Sequence, residues 1–294
     1  MNRFFVILNP TAGRGRALRE WPRQAEALRD AGISFEMTQT REPGEAVGLA
    51  QRAAREVDVV VAAGGDGTVH EVANGLLLAG GEAALGVLPL GSGDDFVKML
   101  PPRGPVERLV QGTARPLDAG RIVAGAATRY FANGMDIGFG AHASRNVTRV
   151  PRFLTGLGAY LGALALTLVR YPKLEVRLQL DDEPAFAQTT AMTAVMNGRA
   201  FGGSFHVCPD ARADDGMLDL LIADGIGRLA ILGLVPRIMR GTHGDDCRLR
   251  LVRARRVVIE SQEPLLVEAD GEIVFEDARR LEIEVLPGAL RVLA

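Results

Sequence analysis

The first third of the chain alternates short, nearly continuous apolar runs with stretches whose apolar residues recur at helical spacing. Runs at residues 3–8, 33–38, 57–63 and 84–90 read as strands, and the segments 16–31, 43–56 and 69–79 read as helices. Buried strands separated by helices predict βαβ units and a parallel sheet covered on both faces. Beyond Asp118 the rhythm changes. Val176, Leu178 and Leu180 alternate with Arg177 and Gln179, the period of a half-buried antiparallel strand. Further strand-like runs fall at 121–123, 128–132, 189–196, 218–223, 248–259, 265–268, 273–275 and 281–285, with helices expected at 153–170 and 226–239. The predicted fold class is α/β: an N-terminal α/β domain over 1–118, then a β-rich, sandwich-like domain over 119–285. The two halves are expected to meet across a cleft, where ligands bind.

Composition narrows the function. The 294 residues are 47% hydrophobic and 24% charged, those of a folded globular chain. A formal net charge of −2 provides no global positive field for nucleic acid. Lys98 and Lys173 are the only lysines among 34 basic residues, so arginine is the default phosphate partner. Cys208 and Cys247 have no metal spacing and read as buried free thiols. The apolar stretch 153–169 contains Gly156, Gly158 and Gly162 and falls short of the ~20 residues that span a bilayer. It reads as a core helix, or as a helix that touches lipid while Arg145, Arg149, Arg152, Arg170 and Lys173 meet headgroups. A cytoplasmic location is expected.

Three glycine-containing turns each follow a predicted strand: residues 9–15 (Asn-Pro-Thr-Ala-Gly-Arg-Gly), 64–68 (Gly-Gly-Asp-Gly-Thr) and 91–95 (Gly-Ser-Gly-Asp-Asp). In a parallel α/β sheet all three lie at the carboxyl edge of the strands, where ligands bind. Turn 64–68 leads into a helix whose free N–H groups and dipole suit an anion. The shared design is a phosphate cradle. Neither GxxxxGK[ST] nor GxGxxG after a strand occurs, which excludes a P-loop and a dinucleotide fingerprint. Two acidic turns stand in the second half. Asp270-Gly271-Glu272 is a hairpin signal, with both carboxylates on one face if the segment is extended. Asp214-Asp215-Gly216 is a polar turn whose oxygens also suit a hard cation.

The segments 9–15, 64–76 (GGDGTVHEVANGL) and 88–96 (LPLGSGDDF), with Asp118, Cys208-Pro209-Asp210-Ala211, residues 214–219 (DDGMLD) and Asp270-Gly271-Glu272, resemble the diacylglycerol kinase catalytic family. That family includes bacterial lipid kinases and sphingosine and ceramide kinases, and the likeness spans almost the whole chain in order. It implies an ATP-dependent lipid kinase: a nucleotide-binding domain, a lipid-binding domain, and a last strand over about 286–294 returning to the first. Asn9, Pro10, Thr11, Ala12, Gly13, Thr40, Gly64, Gly65, Asp66, Gly67, Thr68, Val69, His70 and Ser92 match nucleotide-holding positions. Asp66 would lie near a catalytic Mg²⁺, with Asp118 in the same network. Arg212, Asp215 and Met217 match a structural Mg²⁺ site, and Glu272 matches the catalytic base, supported by Asp270. A membrane lipid such as diacylglycerol as substrate, and peripheral contact with the inner face of the membrane, follow from the same likeness. The chain departs from the family at Asp94, where Asn is usual, and at Gly140, where Asp is usual. A soluble kinase of the NAD-kinase type and a non-catalytic lipid- or nucleotide-binding protein are the rival readings.

Overall fold

The computed structural model describes residues 2–80, 82–91, 93–147, 149–150, 157–169 and 173–294. They form two compact units, Met1–Asp118 with Gly288–Ala294, and Ala119–Pro287.

The first unit runs β1 (Phe4–Leu8), α1 (Ala12–Asp30), β2 (Phe35–Gln39), α2 (Glu45–Ala53), β3 (Val59–Gly64), α3 (Asp66–Leu78) and β4 (Ala84–Pro89). A 3-10 turn (Phe96–Met99), α4 (Pro105–Gln111) and the start of β5 (Ala114–Ala124) follow. β1 pairs in parallel with β2 and β3, and β3 with β4. Every residue of β3 is buried, as expected of a strand covered on both faces. Gly13, Arg14 and Gly15 all have positive φ, so regular α1 geometry starts at the predicted Arg16. α3 starts earlier than predicted, at Asp66. Its N-cap Gly65 is extended and its carbonyl accepts the N–H groups of Thr68 and Val69, which makes the Gly-Gly-Asp-Gly-Thr turn the helix's own first turn.

The second unit continues with β6 (Ala127–Phe131), β7 (Gly134–Gly138), α5 (Phe139–Val147), α6 (Leu157–Val169), β8 (Leu174–Leu180) and β9 (Phe186–Met196). β10 (Leu218–Asp224), α7 (Arg228–Arg240), β11 (Leu249–Ala254), β12 (Arg256–Ala269) and β13 (Glu272–Leu293) complete it. The pairs β5–β6, β7–β9, β7–β12, β8–β9, β8–β12, β9–β10, β10–β11 and β12–β13 are antiparallel. β7 and β8 each pair with both β9 and β12, at different ends, which curls the sheet around one core. Alternation sorts the side chains. Leu218, Leu220 and Ile222 of β10 join that core, whereas Leu221 and Ala223 face a second cluster shared with α5, α6 and α7.

The long β13 returns to the first unit, where Val292 pairs in parallel with Leu85. Ala294 and Thr113 exchange main-chain hydrogen bonds there. Several sequence expectations need correction. The run 248–259 is two strands, because Asp181 Oδ1 accepts the N–H groups of both Arg255 and Arg256 and holds a corner between them. The runs 265–268 and 281–285 are portions of β12 and β13. The helix expected over 153–170 is α6, and residues 151–156 and 170 lie outside the described residues. Cys208 is buried as expected, but Cys247 is exposed.

Candidate functional site

The three glycine turns of the first unit touch one another. A Cβ on Gly91 would stand 2.4 Å from the Cα of Gly65, and one on Gly13 would stand 2.7 Å from the Leu90 carbonyl oxygen. Only glycine permits approaches this close. Side chains complete the seam: Asn9 Nδ2 donates to Thr68 Oγ1 (3.1 Å), and Arg16 Nη2 donates to the Gly91 carbonyl (2.5 Å). Asn9 Oδ1 also accepts from the N–H and hydroxyl of Thr11. Thr40 is fixed by its N–H to the Leu8 carbonyl. No side chain caps α3, and an uncapped helix N-terminus of this kind suits an anion. Val69 and His70 are buried on α3, so they support the turn from its packed side. Ser92 lies outside the described residues.

Asp66 is the acidic centre of this seam. Its Oδ1 accepts the N–H of Asp95 (2.6 Å) and, more weakly, of Phe96 (3.4 Å). Burial, then the nearby charge of Asp95, raises its pKa to about 6. Asp94 has φ +53°, a left-handed conformation in which Asp and Asn are enriched, and its Oδ1 accepts the Gly91 N–H. Burial raises its pKa, while Arg16 and Lys98 pull it down. Lys98 Nζ binds Asp95 Oδ1 at 2.6 Å. A carboxylate whose ionisation is held back by burial and by like charges is suited to a divalent cation, which relieves both. Among the described residues no group of three or more His, Cys, Asp or Glu could hold a metal by itself. A cation at Asp66 would therefore need substrate phosphates as further ligands, the usual arrangement for Mg²⁺. Asp118 is buried and its Oδ1 accepts the Gly288 N–H (2.8 Å), which ties the returning strand to the unit.

In the second unit the turn between β12 and β13 is Asp270-Gly271, with φ of +50° and +95°. The segment is therefore not extended, and Asp270 and Glu272 do not project to one face as the sequence suggested. Asp270 turns inward. Its Oδ2 accepts the Ala132 N–H, and its Oδ1 accepts those of Asn133 and Gly134, at 2.8 to 2.9 Å. Glu272 is exposed at the first position of β13. Around the polar turn, Asp215 Oδ1 accepts the Met217 N–H (3.2 Å), and its other oxygen pairs with Arg253. Arg253 also approaches Asp219, whose Oδ2 is buried without a partner. Burial raises the Asp219 pKa, with Asp215 and Asp210 adding to it. An orphaned acidic oxygen among further carboxylates fits a hard cation, with the Arg253 guanidinium as the competing charge. Arg212 meanwhile pairs with Asp214.

Sequence reasoning missed two buried acids, Asp136 on β7 and Glu268 on β12, which face each other in register. Asp136 Oδ2 accepts the Ala141 N–H (3.0 Å), and Glu268 Oε1 accepts the Gly271 N–H. With both ionised, Asp136 Oδ1 would be buried without a donor; a proton on Glu268 supplies one. Burial pushes the Asp136 pKa to about 6 and that of Glu268 well above its ordinary range. The pair also explains the departure at Gly140, since a Cβ there would lie 2.3 Å from Asp136 Oδ2.

Residues 3–122 match the family model of the diacylglycerol kinase catalytic domain, and residues 136–294 match that of the YegS C-terminal NAD kinase beta sandwich-like domain. A "Probable lipid kinase YegS-like" of Pseudomonas aeruginosa is 34% identical over 90% of this chain and 86% of its own length. A "Diacylglycerol kinase" of Bacillus subtilis is 30% identical over 92% of this chain and 90% of its own. The crystal structure of a candidate diacylglycerol kinase from Bacillus anthracis superposes with a TM-score of 0.79, covering 99% of this chain and 96% of that one at 24% identity.

Proposed function

Since the chain belongs to the lipid kinase family of the YegS-like proteins and diacylglycerol kinases, we propose that it transfers the γ-phosphate of ATP to the hydroxyl of a membrane lipid of the diacylglycerol class. The observation that carries this reading is the convergence of the three glycine turns on Asp66 at the carboxyl ends of β1, β3 and β4. Asn9 to Gly13, Thr40, Gly64 to His70 and Ser92 hold the nucleotide in this reading. Asp66 would hold Mg²⁺ together with the phosphates, with Asp118 as a supporting carboxylate of the same network. Mg²⁺, when bound, neutralises charge on the transferring phosphoryl group. Phosphoryl transfer asks the protein for little beyond positioning, neutralisation and a base near the attacking hydroxyl. Glu272 is that base, exposed on a turn that Asp270 holds rigid through three main-chain N–H groups. Arg212, Asp215 and Met217 hold a second, structural Mg²⁺. The enzyme works at the inner face of the membrane as a peripheral cytoplasmic protein.

One experiment separates this reading from an NAD kinase, which the name of the second matching domain raises. The protein is incubated with Mg²⁺ and γ-labelled ATP, once with a detergent-dispersed lipid extract and once with NAD. Label in a lipid species whose mass has gained one phosphate is expected. Label in NAD alone overturns the proposal.

A further inference from the structure

α7 is apolar on both sides. Its inner face, Ile231, Leu234, Val235 and Ile238, packs on the cluster shared with β9 and β10. Its outer face presents Leu229 (84% exposed), Leu232 (55%), Gly233 and Pro236, at the spacing of one helical stripe. A helix on the surface of a globular protein normally turns charge outward. α7 contains no acidic residue, and its only charges are arginines. Arg237 is held by Asp245 and Asp246. Arg228 and Arg240, at the two ends, are exposed and have no ion pair among the described residues. Apart from Asp224 at the end of β10, no free acid lies near either end in sequence. α6 packs on the same cluster through Leu164 and Leu168 and carries no charge from Leu157 to Val169. It exposes Leu161, Leu166 and Val169.

We propose that the outer face of α7, assisted by α6, is the surface through which this protein docks on a bilayer containing anionic lipid. Leu229 and Leu232 enter the acyl boundary, while Arg228 and Arg240 meet headgroup phosphates. An apolar stripe bounded by cations at both ends is the pattern of a helix lying in the membrane interface. The charges decide against a second copy of the chain as the occupant: two such faces would bring unpaired arginines together. Beneath α7 lies an apolar cavity of about 70 Å³ lined by Phe139, Leu164, Phe205, Leu221, Ile231 and Leu234. That is under half of the ~150 Å³ that takes one benzene, so the cavity as it stands is too small for an acyl chain. The inference rests on the lipid kinase reading for its purpose, but its evidence is the surface alone.

The test compares wild type with Leu229→Asp/Leu232→Asp and with Arg228→Gln/Arg240→Gln. All four positions are exposed, and melting curves check the fold. Sedimentation with phosphatidylcholine vesicles, with and without phosphatidylglycerol, measures partitioning. The Leu pair should weaken it on both vesicle types by about a hundredfold or more, since each leucine carries ~1.5 kcal/mol or more of burial. The Arg pair should remove about thirtyfold of the preference for phosphatidylglycerol, the two charges at ~1 kcal/mol each. Turnover of a short-chain, monomerically dispersed diacylglycerol should survive both changes. Wild-type partitioning by the Leu pair overturns the surface, and turnover of the soluble lipid then still upholds the kinase reading. Vesicle binding through α7 by a protein that phosphorylates no lipid upholds the surface and removes the kinase reading. A wild-type dimer that the Leu pair splits, with vesicle binding unchanged, assigns the face to a second copy and overturns the proposal.

Discussion

Glu268 and Asp136 face each other across the β7–β12 pairing inside the second unit, where both side chains are buried and only a proton on one of them gives the other a donor. The proton they share is one that the unfolded chain gives up at a lower pH. The same Glu268 accepts the Gly271 N–H, so this pair underpins the turn that carries Glu272.

The pair makes stability depend on pH with a definite sign. Both folded pKa values lie above their ordinary ones, Asp136 at about 6 and Glu268 well above its ordinary range, burial being the first cause of each. Between the ordinary carboxylate range and those values, the folded state binds more protons than the unfolded one. Stability therefore falls as pH rises through that window. Glu268→Gln keeps a donor for Asp136 and an acceptor for Gly271, yet titrates no longer. Its melting temperature should decline less than wild type's between acid and neutral pH. Glu268→Ala strands both partners and should cost ~1–3 kcal/mol at every pH. Identical pH slopes for wild type and the Gln variant would show that the proton is not shared.

Asp66 tests the same sign in the first unit. Its pKa of about 6 means that its charge opposes folding at neutral pH in the apoprotein. Asp66→Asn keeps an acceptor for the Asp95 N–H and removes the charge. The apo variant should melt higher than wild type at pH 8 and at the same temperature well below pH 6, where Asp66 is already protonated. Turnover should fall by ~10²–10³, the range for losing one charge-stabilising group. An Asn variant that is no more stable at pH 8 would contradict the burial of this charge.

Asp270 and Glu272 should separate into stability and chemistry. Asp270→Asn leaves an amide N–H facing the Ala132 N–H, and two donors cannot bond. The variant should lose ~1–3 kcal/mol, read as a lower melting temperature. Glu272 is exposed, so Glu272→Gln should melt like wild type while kcat drops by ~10²–10⁴. A Gln variant that keeps more than about a tenth of wild-type kcat removes Glu272 as base.

What the chain discloses before folding follows the range of the interaction. The glycine turns are local, because strand, turn and helix are contiguous, and Gly64 to Thr68 announced both the turn and the helix it opens. Their mutual contact needed only the rule that parallel strands end on one edge. Asp136 and Glu268 were invisible for the opposite reason. Asp136 is the one acid of a five-residue strand and Glu268 one of three acids in β12, and their meeting depends on the register of β7 against β12, 132 positions apart in numbering. The inward turn of Asp270 likewise depends on main-chain N–H groups at Ala132 to Gly134. β7 itself escaped notice because glycines bound its five residues and its apolar run is short.

Asp94, where Asn is usual in the family, yields the last prediction. A carboxylate beside Asp66 and Asp95 adds a negative charge where phosphates are proposed to sit. At 4 Å two unit charges near a protein surface interact by ~4 kcal/mol, and by ~1 kcal/mol in bulk water. Simple repulsion would then make Asp94→Asn a tighter nucleotide binder in all conditions. The structure weakens that expectation in two ways. Arg16 and Lys98 already offset the Asp94 charge, and its Oδ1 is committed to the Gly91 N–H. Asn can keep both that bond and the left-handed backbone, so the substitution changes charge and little else. The role left for the charge is to help Asp66 attract the cation that bridges to phosphate. Asp94→Asn should therefore weaken ATP binding in Mg²⁺, and leave binding without metal level or slightly improved. Calorimetric titration of ATP into both proteins, with Mg²⁺ and with chelator, reads the two cases directly. Tighter binding by the Asn variant in Mg²⁺ would restore repulsion as the dominant effect of this charge.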